Sequence, residues 1–130
     1  MEIKRNQATR NRPKGDRIID APVMVIDLHQ SANQIKEEKT WQKNDRNGLT
    51  IFKTTNLAIV LVSLKAGAEI NDNVVDGIIT VKVISGEIRI VLPGEEITAN
   101  ENELIILHPG IEHSLIAKEE STLLLTSCTE

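Results

Sequence analysis

The stretch IITVKVISGEIRIVLPGEEITA, residues 78–99, decides the fold class of this 130-residue chain. Apolar and polar residues alternate through three runs, and the dipeptides Ser85-Gly86 and Pro93-Gly94 divide those runs. Alternation with a period of two between such dipeptides is typical of β-strands joined by tight turns. We therefore predict strands over Ile78–Ile84, Glu87–Leu92 and Glu95–Ala99, with Ile79, Val81, Val83, Ile88 and Ile90 facing inward.

The same pattern continues on both sides of this stretch. Turn residues recur at short intervals, and no segment after residue 48 has the apolar spacing of a helix. Many short strands with turn signals about every 8–12 residues indicate a β-sandwich or β-barrel rather than alternating β-α units. The chain is therefore predicted to be all-β, with further strands over Leu49–Lys53, Leu57–Leu64, Glu103–Leu107, His113–Ala117 and Thr122–Cys128.

The residues before this β-rich region divide into a tail and an arm. Residues 1–17 carry six basic and two acidic side chains without apolar periodicity, which predicts a basic, poorly ordered tail. In the arm, residues 18–48, the run Val23–Leu28 predicts a strand, and Ser31-Ala-Asn-Gln34 is a capping box for a short helix ending near Lys39. Asn47-Gly48 then predicts a turn leading into a barrel over residues 49–130.

Composition narrows the classes of function. The chain contains no run of about 18 apolar residues, the length that a membrane span requires. The N-terminus lacks the apolar core of a secretory signal, so we expect a cytoplasmic protein. Aromatic residues are 2% of the chain, and the body outside the tail is acidic. Nucleic acid is therefore not an expected partner. The glycines stand apart from one another, which excludes a phosphate-binding loop.

Side chains able to bind a metal are few and dispersed. The histidines are His29, His108 and His113, and no two of them form a His-x-His pair. Zinc and iron sites ordinarily combine two or three imidazoles with a carboxylate. For His29 and His108 the simplest interpretation is an imidazole satisfied by backbone or solvent. The single cysteine, Cys128, cannot form an internal disulfide and is predicted to be a buried, unreactive thiol.

Two glycine-containing segments of the β-rich region resemble the two motifs of small single-domain cupins. Ala66-Gly67 opens the first segment and Gly86 closes it. In the second, Gly110 and His113 stand at the offsets of the motif's last glycine and its histidine, while Asn102 and His108 replace its first glycine and its proline. The resemblance covers residues 57–128, and the arm extends it to a subgroup of uncharacterised bacterial cupins. It implies an RmlC-like double-stranded β-helix, a jelly-roll barrel with the N-terminal strand and helix packed outside it.

Carried over position by position, the cupin metal ligands are largely replaced in this chain. Asn73 stands at the first histidine, Val75 at the second and Ile79 at the glutamate, so only His113 keeps the identity of a ligand. One imidazole and a neutral amide would hold a divalent ion weakly; no cofactor is therefore expected, with a divalent metal as the open alternative. The resemblance instead implies a pocket at the barrel mouth, with Asn73 and His113 as polar groups and Val75 and Ile79 as apolar wall.

Three functions fit these residues. The first is a metal-poor cupin that binds or senses a small molecule through the barrel mouth. The second is a cupin enzyme, isomerase-like or dioxygenase-like, that uses a metal completed by His108 or uses His113 as a general acid and base. The third is a dimeric interaction scaffold. We also expect a homodimer in which Val23–Leu28 adds to a sheet edge, because this apolar run has no local partner strand.

Overall fold

The computed structural model describes residues 4–6, 17–73 and 76–129 of the chain. These residues form strands throughout, with two short helices near the start. In chain order the elements are β1 (Lys4–Asn6), β2 (Arg17–Asp20), α1 (Leu28–Glu37), α2 (Lys39–Lys43), β3 (Arg46–Lys53), β4 (Leu57–Leu64), β5 (Glu69–Asn73), β6 (Ile78–Ser85), β7 (Glu87–Leu92), β8 (Glu95–Asn100), β9 (Leu104–Leu107), β10 (His113–Ala117) and β11 (Ser121–Cys128). The described part of the chain contains no helix long and apolar enough to cross a membrane.

Two antiparallel sheets face each other across one core. The first has the strand order β3-β4-β11-β6-β9 and the second the order β5-β10-β7-β8. Every second residue of the central strands points between the sheets, as the alternation predicts, and the predicted β-barrel architecture is confirmed. The fully buried members of this core are Leu64, Val81, Val83, Ile88, Ile90 and Leu123.

Helix α1 covers part of the outer face of the five-stranded sheet. Its Ile35 is fully buried in a second core cluster with Leu49, Ile51 and Leu61. The helix begins after Asp27, whose Oδ1 accepts a hydrogen bond of 3.0 Å from the backbone N–H of Gln30. The helix of the arm therefore packs outside the barrel, as predicted.

The strand predicted over Val23–Leu28 is wrong. Residues 21–27 have no regular structure, and Leu28 is the first residue of α1. Because Asp27 caps the helix, the predicted capping box at Ser31-Ala-Asn-Gln34 lies inside it. β-branched residues form a strand only where a neighbouring strand accepts and donates their backbone hydrogen bonds, and none of the described strands pairs with this segment.

The turn predicted at Asn47-Gly48 is also wrong, because both residues lie inside β3, which begins ahead of the predicted start at Leu49. Asn47 is buried, and its Nδ2 donates hydrogen bonds to the carbonyl oxygen of Ile35 (2.8 Å) and to Oε1 of Glu38 (2.9 Å). These contacts satisfy the amide without a turn and connect the end of α1 to the first barrel strand.

Three strands, β1, β2 and β5, lie where none was predicted, and Cys128 has the opposite exposure from the predicted one. Lys4–Asn6 of the basic tail pair with Arg17–Asp20, and residues 7–16 of the tail lie outside the described residues. Among the described strands β5 pairs only with β10, and its one apolar residue, Ile70, is too few for an alternating pattern. Cys128 is exposed rather than buried, because it is the last residue of its strand.

Candidate functional site

A cavity of about 210 Å³ lies between the two sheets at one end of the barrel. β4, β6 and β10 begin at this end, and β11 finishes there. Most of the lining is aliphatic because the inward positions of these strands are Ala, Val, Ile and Leu. The lining residues are Ala58, Val60, Ile70, Ile79, Val81, His113, Leu115, Leu125, Thr126 and Ser127.

His113 is the titratable side chain of this lining. It is the first residue of β10, it follows the turn at Gly110, where φ is +78°, and it is only 3% exposed. Its Nδ1 lies 3.0 Å from the carbonyl oxygen of Ile111. A carbonyl can only accept, so Nδ1 carries the proton, and in the neutral ring Nε2 keeps a lone pair.

The same imidazole borders a second space on the outside of the barrel. This cleft of about 290 Å³ lies beside the turn between β7 and β8, and Glu112, Ser114 and Pro93 contribute to its walls with His113. His113 therefore stands between the aliphatic cavity and the surface, where a ligand in either space can contact it.

The structure brings two of the four predicted pocket residues into one cavity. Ile79 and His113 both line it. Asn73 is the register partner of His113 in the ladder between β5 and β10, so its backbone lies beside the histidine. Val75 lies outside the described residues. Ile79 also packs against the main core, as an apolar wall residue should.

Several lining residues carry no signal of their own in the sequence. Ser127 is the clearest case, because a serine near the end of a strand is ordinarily assigned to solvent. Its direction can be inferred from the alternation along β11. Leu123 and Leu125 face inward, and Ser127, two residues further on, lies on the same face. Ala58 and Val60 follow from β4 in the same way, with Val62 as the buried residue of their face.

The donor set of the cavity does not fit a divalent metal. Among the side chains described over residues 18–71 and 76–129, no three His, Cys, Asp or Glu gather into a group that could hold one. His29 and His108 are both exposed. The cavity lining offers one imidazole among aliphatic side chains, whereas stable sites for these ions need three or four donors.

The ion pair between Asp45 and Arg46 lies away from this end of the barrel. Arg46 donates a 3.0 Å hydrogen bond to Asp45, and this contact holds the pKa of the Asp45 carboxyl below its usual range. Arg46 is paired in register with Leu64, at the far end of β4 from Ala58. The cavity therefore has a low-polarity lining in which the histidine is the one group able to change charge.

Comparison with known proteins identifies the fold. The sequence matches no protein-family model and no curated protein. Among solved structures, a conserved protein of unknown function from Streptococcus pyogenes is 23% identical, with a TM-score of 0.66 and 96% of each chain covered. A cupin-2 domain protein from Shewanella frigidimarina is 19% identical, with a TM-score of 0.66 over 80% of this chain and 94% of that one.

A cupin superfamily protein from Desulfitobacterium hafniense is similar to a smaller part of the chain. It is 15% identical, with a TM-score of 0.65, and the match covers 67% of this chain and 80% of that one. At these identities the likeness shows the fold alone. The chain has the cupin fold, and the expectation drawn from its two glycine-containing segments is confirmed.

Proposed function

We propose that the protein binds a small, largely aliphatic molecule in the cavity at His113. The observation that carries this proposal is a buried imidazole on the wall of a mostly aliphatic cavity. Apolar walls with a few polar groups that fix orientation are the usual composition of ligand pockets. Fold alone supplies no function, so the proposal rests on these side chains.

The hydrogen-bonding state of His113 defines the polar end of the ligand. With Nδ1 donating to Ile111, a neutral ring has only the Nε2 lone pair to offer. That lone pair accepts from a hydroxyl or a protonated acid, whereas a carboxylate requires an imidazolium that donates from Nε2. The ligand class is therefore a short aliphatic alcohol or acid.

The size of the cavity limits the apolar end. Liquid water occupies about 30 Å³ per molecule, so a cavity of about 210 Å³ has room for about seven ligand heavy atoms. Each methylene transferred from water into such a cavity contributes about 0.8 kcal/mol. Affinity should rise about fourfold per carbon and stop rising once the cavity is full.

Calorimetric titration with straight-chain alcohols and acids of increasing length tests the proposal. Wild-type protein should show the rise and the plateau. Ala58→Leu fills part of the cavity and should weaken binding at least tenfold without removing a polar group. Ala66→Leu is the matched control, because Ala66 is exposed outside the cavity, and it should bind as wild type does.

A second pair of variants tests the imidazole. His113→Ala should weaken binding, whereas His108→Ala, which removes an exposed histidine from the same end of the chain, should leave it unchanged. Equal binding to wild type, Ala58→Leu and His113→Ala would contradict the cavity as the site. So would the absence of heat with every member of both series.

We further propose that the cavity holds no tightly bound transition metal. The single imidazole of the lining supports this, since one donor gives no chelate. Elemental analysis of dialysed protein should find far less than one equivalent of zinc, iron, manganese or nickel. Near one equivalent in wild type, lost in His113→Ala and kept in His108→Ala, would overturn the proposal and favour a metal-dependent enzyme.

A further inference from the structure

The hydroxyl group of Ser127 makes no hydrogen bond with any of the described residues. Ser127 lines the cavity from β11, between its register partners Ala58 on β4 and Ile79 on β6. Neither of these side chains can donate or accept a hydrogen bond. Every buried side-chain nitrogen or oxygen in the described part of the chain has a partner. The hydroxyl of Ser127 therefore faces the open space of the cavity and not packed side chains.

Thr126 also borders the cavity, but its side chain points the other way. Successive side chains of a strand point to opposite faces of the sheet. Leu125 packs against the core between the sheets, whereas Leu124 packs against the cluster under helix α1. Thr126 continues the outer face and Ser127 the inner one, so Ser127 supplies the hydroxyl that points into the cavity.

His113 and Ser127 approach the cavity from facing walls. His113 belongs to the four-stranded sheet through β10, and Ser127 belongs to the five-stranded sheet through β11. Packed sheets lie about 10 Å apart, so the cavity separates the two polar groups. Aliphatic side chains such as Ile79 and Leu125 line the space around them. A ligand that crosses the cavity meets a polar group at each end.

This arrangement favours a ligand that is polar at both ends. A ligand with an oxygen at His113 and a methyl group at the other end would cover the Ser127 hydroxyl with carbon, which removes the hydroxyl from water without a hydrogen bond. A second ligand hydroxyl restores that bond, because one hydroxyl can donate while the other accepts. Sites built to bind a hydroxyl in this way reject the analogue that lacks it.

The rest of the lining limits the second polar group of the ligand. Among the described lining residues, only His113 can carry a positive charge, so a second carboxylate would be buried without a counter-charge. The second group is therefore a neutral hydroxyl. A cavity of about 210 Å³ has room for about seven ligand heavy atoms, so a chain of about five carbons with an oxygen at each end fills it.

We infer that Ser127 is a second anchoring residue, and that the ligand is a short diol or hydroxy acid that spans the cavity from His113 to Ser127. One ligand oxygen pairs with the imidazole and the terminal hydroxyl at the other end pairs with the serine. The inference rests on the proposed function, because it requires that the cavity holds the ligand.

Calorimetric titration with two ligands of equal size tests the role of Ser127. The first is the straight-chain pentanediol with a hydroxyl at each end, and the second is hexanol, which has a methyl group in place of the second hydroxyl. Ser127→Ala should weaken diol binding by about two- to tenfold, the value of one hydrogen bond, and should leave hexanol binding unchanged or tighter. Hexanol binding that is kept in Ser127→Ala also shows that the variant is folded with its cavity intact.

Ser114→Ala is the matched control, because Ser114 is next to His113 but borders the outer cleft, and it should leave both affinities unchanged. Hexanol binding to wild type, together with a Ser127→Ala variant that weakens neither ligand or both equally, would overturn this inference and leave the proposed function standing. Weaker diol binding in Ser114→Ala but not in Ser127→Ala would place the diol in the outer cleft and would also overturn it. If wild type bound neither ligand, the proposed function would fail and this inference with it.

Discussion

His113 owes its chemistry to one backbone hydrogen bond. The contact between Nδ1 and the carbonyl oxygen of Ile111 fixes which nitrogen carries the proton in the neutral ring. The side chain is buried at 3% exposure and lines the cavity. The same side chain can thus accept from an alcohol when it is neutral and donate to a carboxylate when it is protonated.

This dual capacity predicts opposite pH dependences for the two ligand series. A carboxylate binds the imidazolium, so its affinity should rise as pH falls, by up to about tenfold per pH unit for uptake of one proton. An alcohol binds the neutral ring through Nε2, so its affinity should fall as pH falls. Titration calorimetry at several pH values, with one acid and one alcohol of equal length, measures both slopes.

His113→Gln is the control for the pH dependence. Its amide keeps a donor and an acceptor but does not titrate, and no other residue of the cavity lining is titratable. Both affinities should become independent of pH in this variant. Parallel slopes for acid and alcohol in wild type, or slopes that persist in His113→Gln, would show that another group controls binding.

At the residue scale, the sequence predicts His113 and Ile79 in one pocket, and both line the cavity. That prediction rests on the spacing between Gly110 and His113 in the second cupin-like segment, because this spacing sets where β10 begins. Ser127 could not be chosen as a site residue from its type, since a strand serine faces solvent more often than a cavity. The direction of Ser127 follows only once Leu123 and Leu125 show which face of β11 lies against the core.

At the scale of elements, Asn47 connects the helical arm to the barrel. Its amide satisfies the carbonyl of Ile35, which lies in the last turn of α1 and has no partner farther along the helix. The second bond, to Glu38, lies just beyond the helix end. The packing of Ile35 on the outer face of the sheet is thus supported by a buried polar contact.

Asn47→Ala should lower the free energy of unfolding by about 1–3 kcal/mol, because it leaves the carbonyl of Ile35 buried without its donor. Asn44→Ala is the matched control: Asn44 donates only to the carbonyl of Thr40, at an exposed position, so its loss should cost about 0.5–1 kcal/mol at most. Urea unfolding followed by the fluorescence of Trp41, the single tryptophan, measures both. Equal losses would contradict the role given to Asn47.

Strands that lie between clear turn residues were predictable to the residue. β4, β7 and β10 begin and end where the sequence predicts, because turn residues bound each of them. Val23–Leu28 has the composition of a strand but lacks a neighbour in the chain, and composition cannot supply hydrogen-bond partners. β5 is the converse case: one apolar residue is enough for an edge strand whose ladder is provided by β10.

For the whole molecule, the barrel fold can be predicted from the sequence more directly than the function of its cavity can. The two sheets, their shared core and the outer helix need only apolar alternation and turn residues in the right order. The cavity depends on which inward positions are small or polar, among them Ala58, Ser127 and His113. Different residues at these inward positions leave the fold unchanged, and related barrels can therefore differ in function.

A crystal structure of the protein with the tightest-binding alcohol or acid is the decisive test of the cavity at His113 as the ligand site. We expect continuous electron density inside the cavity, with the ligand chain against Ile79 and Val60. We also expect a ligand oxygen within hydrogen-bond distance, about 2.6–3.2 Å, of Nε2 of His113. Ligand density outside the barrel with the cavity empty, or a ligand oxygen turned away from His113, would contradict this assignment.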